Sequence, residues 1–279
     1  MPVGGRRRKG ELVNAPGPGS RTPDRARKEG MYMVFLASVV LHAMLVMAPG
    51  HAGIAFRVTK AQVSYEAKET NLGSSLKKVV GRNRDLSITL HASPGSVRAE
   101  LAVSSAGFKT DRPMRDWSVR NLYLKSGTYP EITFALLKID GEDLSSVLRP
   151  VDKDIVLRAA PEDMTVVLLV PGSENAPLVL RTGGGDIAIT GRLRNDILKI
   201  MAAGRGEIPV TGRLTVAGGS KVFDTTVSIN RTGDRTFDLS TVIHAGFSDF
   251  GMSAPTMYWF IAVHDALTLK GDCVIEIVP

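Results

Sequence analysis

Strict alternation of apolar and polar residues recurs along this chain, and it leaves few folds open. Leu86, Ile88 and Leu90 alternate with Ser87, Thr89 and His91, and Val97, Ala99, Leu101 and Val103 follow after a Ser93-Pro94-Gly95 turn. Phe223, Val227 and Ile229, then Phe237, Leu239 and Ile243, repeat the pattern. Successive side chains of an extended chain point to opposite faces, so a period of two sets one face on a core and the other in water. Residues 86–103 therefore read as a hairpin, and 58–67, 210–216 and 267–277 as further strands. Ile132, Phe134 and Leu136 line one face of another, with Pro130 at its start, where a missing N–H does no harm. Nothing resembles alternating strand–helix units, and many short antiparallel strands argue for a barrel or a sandwich.

Two short helices interrupt the strands. Asn71 is placed to cap one that carries Leu72, Leu76, Val79 and Val80 and stops at Gly81; its expected role is to cover an open end of the core. Asn195 or Asp196 would cap a second, running through Ile197 and Ile200 to Gly204. Between 139 and 206 the alternation is less regular, with strand candidates at 155–157, 164–170 and 178–180. Gly183-Gly184-Gly185-Asp186 lacks the Gly-Lys-Ser/Thr sequel and the following helix of a phosphate loop, and reads as a hairpin turn.

The net charge of +7 is not spread over the strands. Residues 1–30 hold eight Lys or Arg against three Asp or Glu, and residues 31–52 hold none of these types, which leaves +2 for Gly53 onward. A nearly neutral body gives no support for nucleic-acid binding. Residues 1–30 form a basic extension, rich in Gly and Pro in its first part, that is expected to be disordered. The uncharged 31–52 segment, apolar over 32–48 and closing on Pro49-Gly50-His51-Ala52, reads as a signal peptide cut near Ala52 or Ala55. The competing reading is an uncleaved membrane anchor over 32–48. The expected location is periplasmic or secreted, or membrane-anchored through 32–48.

The lone cysteine, Cys273, excludes an intrachain disulfide and a thiolate cluster, and its phase in the last strand buries it as an inert thiol. His91, His244 and His264, the histidines after residue 52, lack the close spacing of a metal motif. A nucleophile elbow, a metalloprotease helix and a paired-carboxylate arrangement are all missing from local sequence, so the chain is expected not to be an enzyme, with no catalytic residue and no metal.

Three blocks point further. Arg115-Asp116-Trp117 leads through Leu122 and Leu124 to Thr128-Tyr129-Pro130-Glu131-Ile132-Thr133-Phe134. Gly212-x-Leu214-Thr215-Val216-x-Gly218 precedes Lys221-Val222-Phe223, and Ser248-Asp249-Phe250-Gly251-Met252 with Pro255 precedes Val263-x-Asp265-x-Leu267. In this order they resemble the signature of the YceI-like lipid/polyisoprenoid-binding family over about 54–138 and 206–279, leaving about 140–205 as an insertion at a barrel edge or rim within a 53–279 domain.

The resemblance implies an all-β fold, an eight-stranded antiparallel lipocalin-like barrel, here with the short covering helix and the inserted segment. It implies an exported, non-catalytic protein holding an isoprenoid or other long-chain lipid, with no other cofactor. The candidate ligand wall is Trp117, Tyr129, Phe134, Leu136, Phe250, Met252, Trp259 and Phe260. Arg115 and Asp116 would clasp a headgroup or structure their own loop. The lipid is the expected partner, membrane contact is expected only through an uncleaved N-terminal segment, and a homodimer is left open. The alternative is an envelope structural or interaction protein with a filled barrel and a partner-docking insertion.

Overall fold

The computed structural model describes residues 53–71, 76–170, 176–257 and 261–278. Among these residues sixteen strands form a single sheet in which every pairing is antiparallel. Eight strands of eight residues or more supply its frame: β1 (Gly53–Asn71), β3 (Leu86–Ser93), β4 (Ser96–Ser104), β5 (Glu131–Ile139), β12 (Arg205–Val216), β13 (Gly219–Arg231), β14 (Thr236–Gly246) and β16 (Ile261–Val278). They lie in the order β1-β16-β14-β13-β12-β5-β4-β3. Their burial alternates as the sequence requires, and Ile88, Leu90, Leu101, Leu214, Val227, Leu239 and Ile275 fill the interior.

The expected count of eight strands is too low. Residues 142–189 add six: β6 (Glu142–Asp143), β7 (Leu148–Pro150), β8 (Ile155–Ala159), β9 (Thr165–Leu169), β10 (Leu178–Thr182) and β11 (Gly185–Ile189). The remaining two are β2 (Lys77–Asn83) and β15 (Thr256–Met257). β8 pairs with β3, while β9 pairs with the first residues of β1 and is followed by β10, β11 and β7. The sheet path thus ends on β7 and β8, which residues 151–154 join directly. These short pieces extend the sheet past its eight-strand frame, β9 joining it at the first residues of β1.

That end is solidly packed. Leu148, Leu168, Leu178, Leu180, Ile187 and Ile189 are at most 1% exposed, and Leu193 and Ile197 of a helix are buried in the same core. The helix, Gly191–Ala203, stops at Gly204, whose φ of 68° is the left-handed cap that glycine adopts without strain. It begins four residues before the expected Asn195: the Thr190 hydroxyl turns to the Ser146 and Val147 carbonyls, and no side chain caps the first turn.

The expected helix near 71–81 is corrected. Lys77–Asn83 is strand β2, paired with residues 63–69 of β1, and residues 72–75 lie outside the described part. Val79, Gly81 and Asn83 face inward with period two. Leu76, Val79 and Val80 suit the i, i+3, i+4 spacing of a helix, but the free edge of the long β1 decides for strand. The covering role falls instead to α1 (Pro113–Ser118), which runs into a single π turn at Val119–Tyr123.

Candidate ligand cavity

A cavity of about 100 Å³ lies beneath α1 and its π turn. Its wall comes from the far end of β1, where Tyr65, Ala67 and Glu69 face inward, from Val79 of β2, and from Leu267 and Leu269 of β16. Phe247, Phe250, Met252 and Pro255 close one side. Residues 53–57 of β1 pair with β9 at the packed end, whereas 63–69 pair with β2. The cavity and the 140–205 segment therefore occupy opposite ends of the barrel.

Local chemistry fixes the lid. Pro113 stands in the first helical turn, where its missing N–H is not needed. Asp116 accepts hydrogen bonds from the Thr110 amide at 2.7 Å and the Thr110 hydroxyl at 2.6 Å, tying the helix to the loop before it. Downstream, the Ser105 hydroxyl donates to the Tyr129 carbonyl at 2.7 Å. The opposite rim is a 3-10 turn at Phe247–Phe250. There Asp249 accepts from the Gly246 amide at 2.9 Å and pairs with Lys221 at 2.6 Å. Asp265 accepts from the Ser248 amide at 2.9 Å and its hydroxyl at 2.6 Å. These bonds draw both aspartates below the usual carboxylate range: Lys221 is the main cause for Asp249, and Ser248 for Asp265.

Polar groups gather on one side of an otherwise apolar space. Arg115 reaches across to Glu69, with one guanidinium nitrogen 3.3 and 3.2 Å from the two carboxylate oxygens, and donates to Asp111 at 2.6 Å. The Arg115 and Glu69 side chains are only 14% and 9% exposed. Beside them the Tyr65 hydroxyl is buried with no hydrogen-bond partner among the described residues. Burial pushes its pKa well above the ordinary tyrosine value, opposed by Arg115 and assisted by Asp116. The Tyr65 ring meets Phe108 at 5.5 Å between centroids, and it lies over Gly81, where any Cβ would strike it.

Of the residues singled out in the sequence, Arg115, Phe250 and Met252 line this cavity. Asp116 does not; it structures the lid and does not pair with Arg115. Trp117 points away from the cavity and is 54% exposed, because the inward positions of this turn belong to Arg115 and Ser118. Tyr129 packs against Gly218 of the β12–β13 turn. Phe134 fills the barrel against Gly212, and Leu136 borders a separate hollow of about 460 Å³ beside Thr89, Glu100 and Arg213. Trp259 and Phe260 lie outside the described residues.

Tyr65 and Glu69 escape a local reading of the sequence. Their signal is the phase of β1: Val63, Tyr65, Ala67 and Glu69 share one face, and following the alternation two residues past Ala67 would have placed a carboxylate inside. Among the described residues, no cluster of three or more His, Cys, Asp or Glu could hold a metal ion. No helix among them is long and apolar enough to cross a membrane.

An antiparallel barrel with an apolar cavity at one end defines a lipocalin-like binding fold. Within that class the match is specific: a model of the YceI-like domain matches residues 48–275, and the chain belongs to this family. Solved structures similar to the chain include BcnA of Burkholderia cenocepacia, at 16% identity over 77% of this chain and 96% of that one, with a TM-score of 0.41. A polyisoprenoid binding domain from Saccharophagus degradans is similar at 11% identity, covering 82% and 100%, with a TM-score of 0.43. The Campylobacter jejuni YCEI protein is similar at 17% identity, covering 74% and 86%, with a TM-score of 0.37. None of the curated proteins compared with the chain matches it.

Proposed function

We propose that this protein is an exported, non-catalytic carrier that holds the apolar chain of an isoprenoid or similar long-chain lipid. The cavity under α1 carries the reading: apolar walls offer such a chain about 25 cal/mol for each Å² taken out of water, with little hydrogen bonding required. The family's structural neighbour that is described as polyisoprenoid-binding supports the same ligand class. At about 100 Å³ the space suits a slim chain end and lies below the roughly 300–1,000 Å³ of sites for bulky ligands, so loading a full tail moves the lid outward. Export rests on the uncharged 31–52 segment behind a basic extension.

The polar corner limits the head. Arg115 already faces Glu69 and Asp111, so a further anion would meet two carboxylates and one guanidinium. An uncharged carbonyl or hydroxyl oxygen suits the site, and the unpartnered Tyr65 hydroxyl is the donor placed to meet it. Native mass spectrometry of the purified chain, followed by organic extraction, tests this. The expected result is a copurifying neutral lipid whose retention falls in Tyr65→Phe. Protein that carries no lipid and takes up no added polyprenol overturns the reading.

A further inference from the structure

The lid that roofs the cavity carries a second apolar face turned to solvent. Met114, Trp117 and Leu122 are 70%, 54% and 53% exposed, while Arg115, Ser118, Val119 and Tyr123 of the same turns line the cavity. Three large apolar side chains on the outside of so short an element are a grouping that soluble proteins keep small unless something covers it.

The charge around them is mostly positive. Residues 109–125 hold Lys109, Arg112, Arg115, Arg120 and Lys125 against Asp111 and Asp116. Both acids are engaged, Asp111 by Arg115 and Asp116 by Thr110. The basic rim continues on β2. Arg82 bridges to Lys109, and exposed Leu76 leads into exposed Lys77, which begins that strand opposite Glu69, the residue Arg115 grips. We propose that this face docks on an anionic lipid bilayer. Met114, Trp117 and Leu122 enter the boundary between headgroups and acyl chains, and Lys77, Lys109, Arg112 and Lys125 meet lipid phosphates.

Three arguments select a bilayer over a protein partner. Tryptophan favours that boundary, where its ring is buried and its N–H stays wet. Basic residues close to an anionic surface are attracted to it individually, without a fitted partner geometry. A second copy packed face to face would set this basic rim against itself. The docked face is also the outer side of the cavity roof, so a lipid leaving the bilayer would reach the cavity without crossing water. The docking itself does not depend on what the cavity holds.

The test uses the full chain with vesicles of phosphatidylcholine alone or mixed with phosphatidylglycerol. An uncleaved 32–48 run would hold the chain on vesicles by itself, so Trp117 supplies the readout, with Trp117→Phe subtracted to remove Trp259. Quenching of Trp117 by acyl-brominated lipid is expected with the anionic vesicles and is weakened by salt. Met114→Ser with Leu122→Ser, and separately Lys109→Gln with Arg112→Gln, should each weaken the response about tenfold with an unchanged thermal transition. Unchanged Trp117 emission on vesicle-bound protein overturns the proposal. So does self-association that Met114→Ser with Leu122→Ser abolishes while vesicles give no Trp117 response, which would assign the face to a second copy. Cavity lipid is read separately by extraction, so neither outcome bears on the carrier reading.

Discussion

Arg115 shows how far a motif reaches. Its place in the Arg-Asp-Trp block is plain in the sequence, and so is a polar role, but its partner Glu69 lies 46 residues away on β1, and no local spacing announces it. Asp116, its neighbour, keeps the local role that short acidic side chains serve in loops, accepting from Thr110. The consequences of losing the two therefore differ. Arg115→Met leaves Glu69 buried beside an apolar side chain, and removing one member of a buried pair costs about 3 kcal/mol or more. Combining it with Glu69→Leu should recover most of that loss, because the uncompensated charge leaves with its partner. Denaturant unfolding of both single variants and the double variant measures the coupling. A single variant as stable as the parent would show that water reaches the pair.

At the scale of elements, hairpins were legible and edges were not. β3 and β4 follow from alternation and a Pro-Gly turn alone. β2 is a strand because β1 has a free edge to pair, a fact that no window over residues 71–81 contains. The 247–250 turn is legible as a motif and gains its physical meaning only in the fold. Asp249 and Asp265 hold it through backbone amides, and the first residue of β13, Gly219, has no room for a side chain, because a Cβ there would run into the Phe250 carbonyl. A pH response follows. Both carboxyls sit below their unfolded value, so the unfolded chain binds more protons in acid. Their contribution is complete above the ordinary aspartate pKa near 3.9 and is lost as pH falls below it through the folded values. The Gly246 and Ser248 amide resonances should hold steady from neutrality to about pH 5 and then move with the carboxyls at lower pH. Amides that stay fixed to pH 2 would mean that something other than these carboxylates anchors the rim.

Across the whole molecule, the sheet order was beyond sequence reach. Whether 140–205 caps, lines or avoids the cavity depends on which end of β1 takes β9, and alternation is blind to direction along a strand. The register settles it: Gly53 to Arg57 face Leu169 to Thr165, while Tyr65 and Glu69 line the cavity at the other end of the same strand. Stability and ligand capacity should then separate along the barrel axis. Leu180 is fully buried among Leu168, Leu178 and Ile187 at the packed end, with cavity-lining residues elsewhere. Leu180→Ala removes buried volume from a core that collapses only partly around the gap, which costs about 2–5 kcal/mol. Because that damage lies at the end remote from α1, the folded fraction should retain as much extractable lipid per molecule as the parent. Denaturant unfolding and lipid extraction on the same preparation give the two quantities. Lost stability with unchanged lipid content supports two separable ends. A parallel fall in both would mean that the lipid tail runs the length of the barrel into the packed end, and that the cavity under the lid is only its mouth.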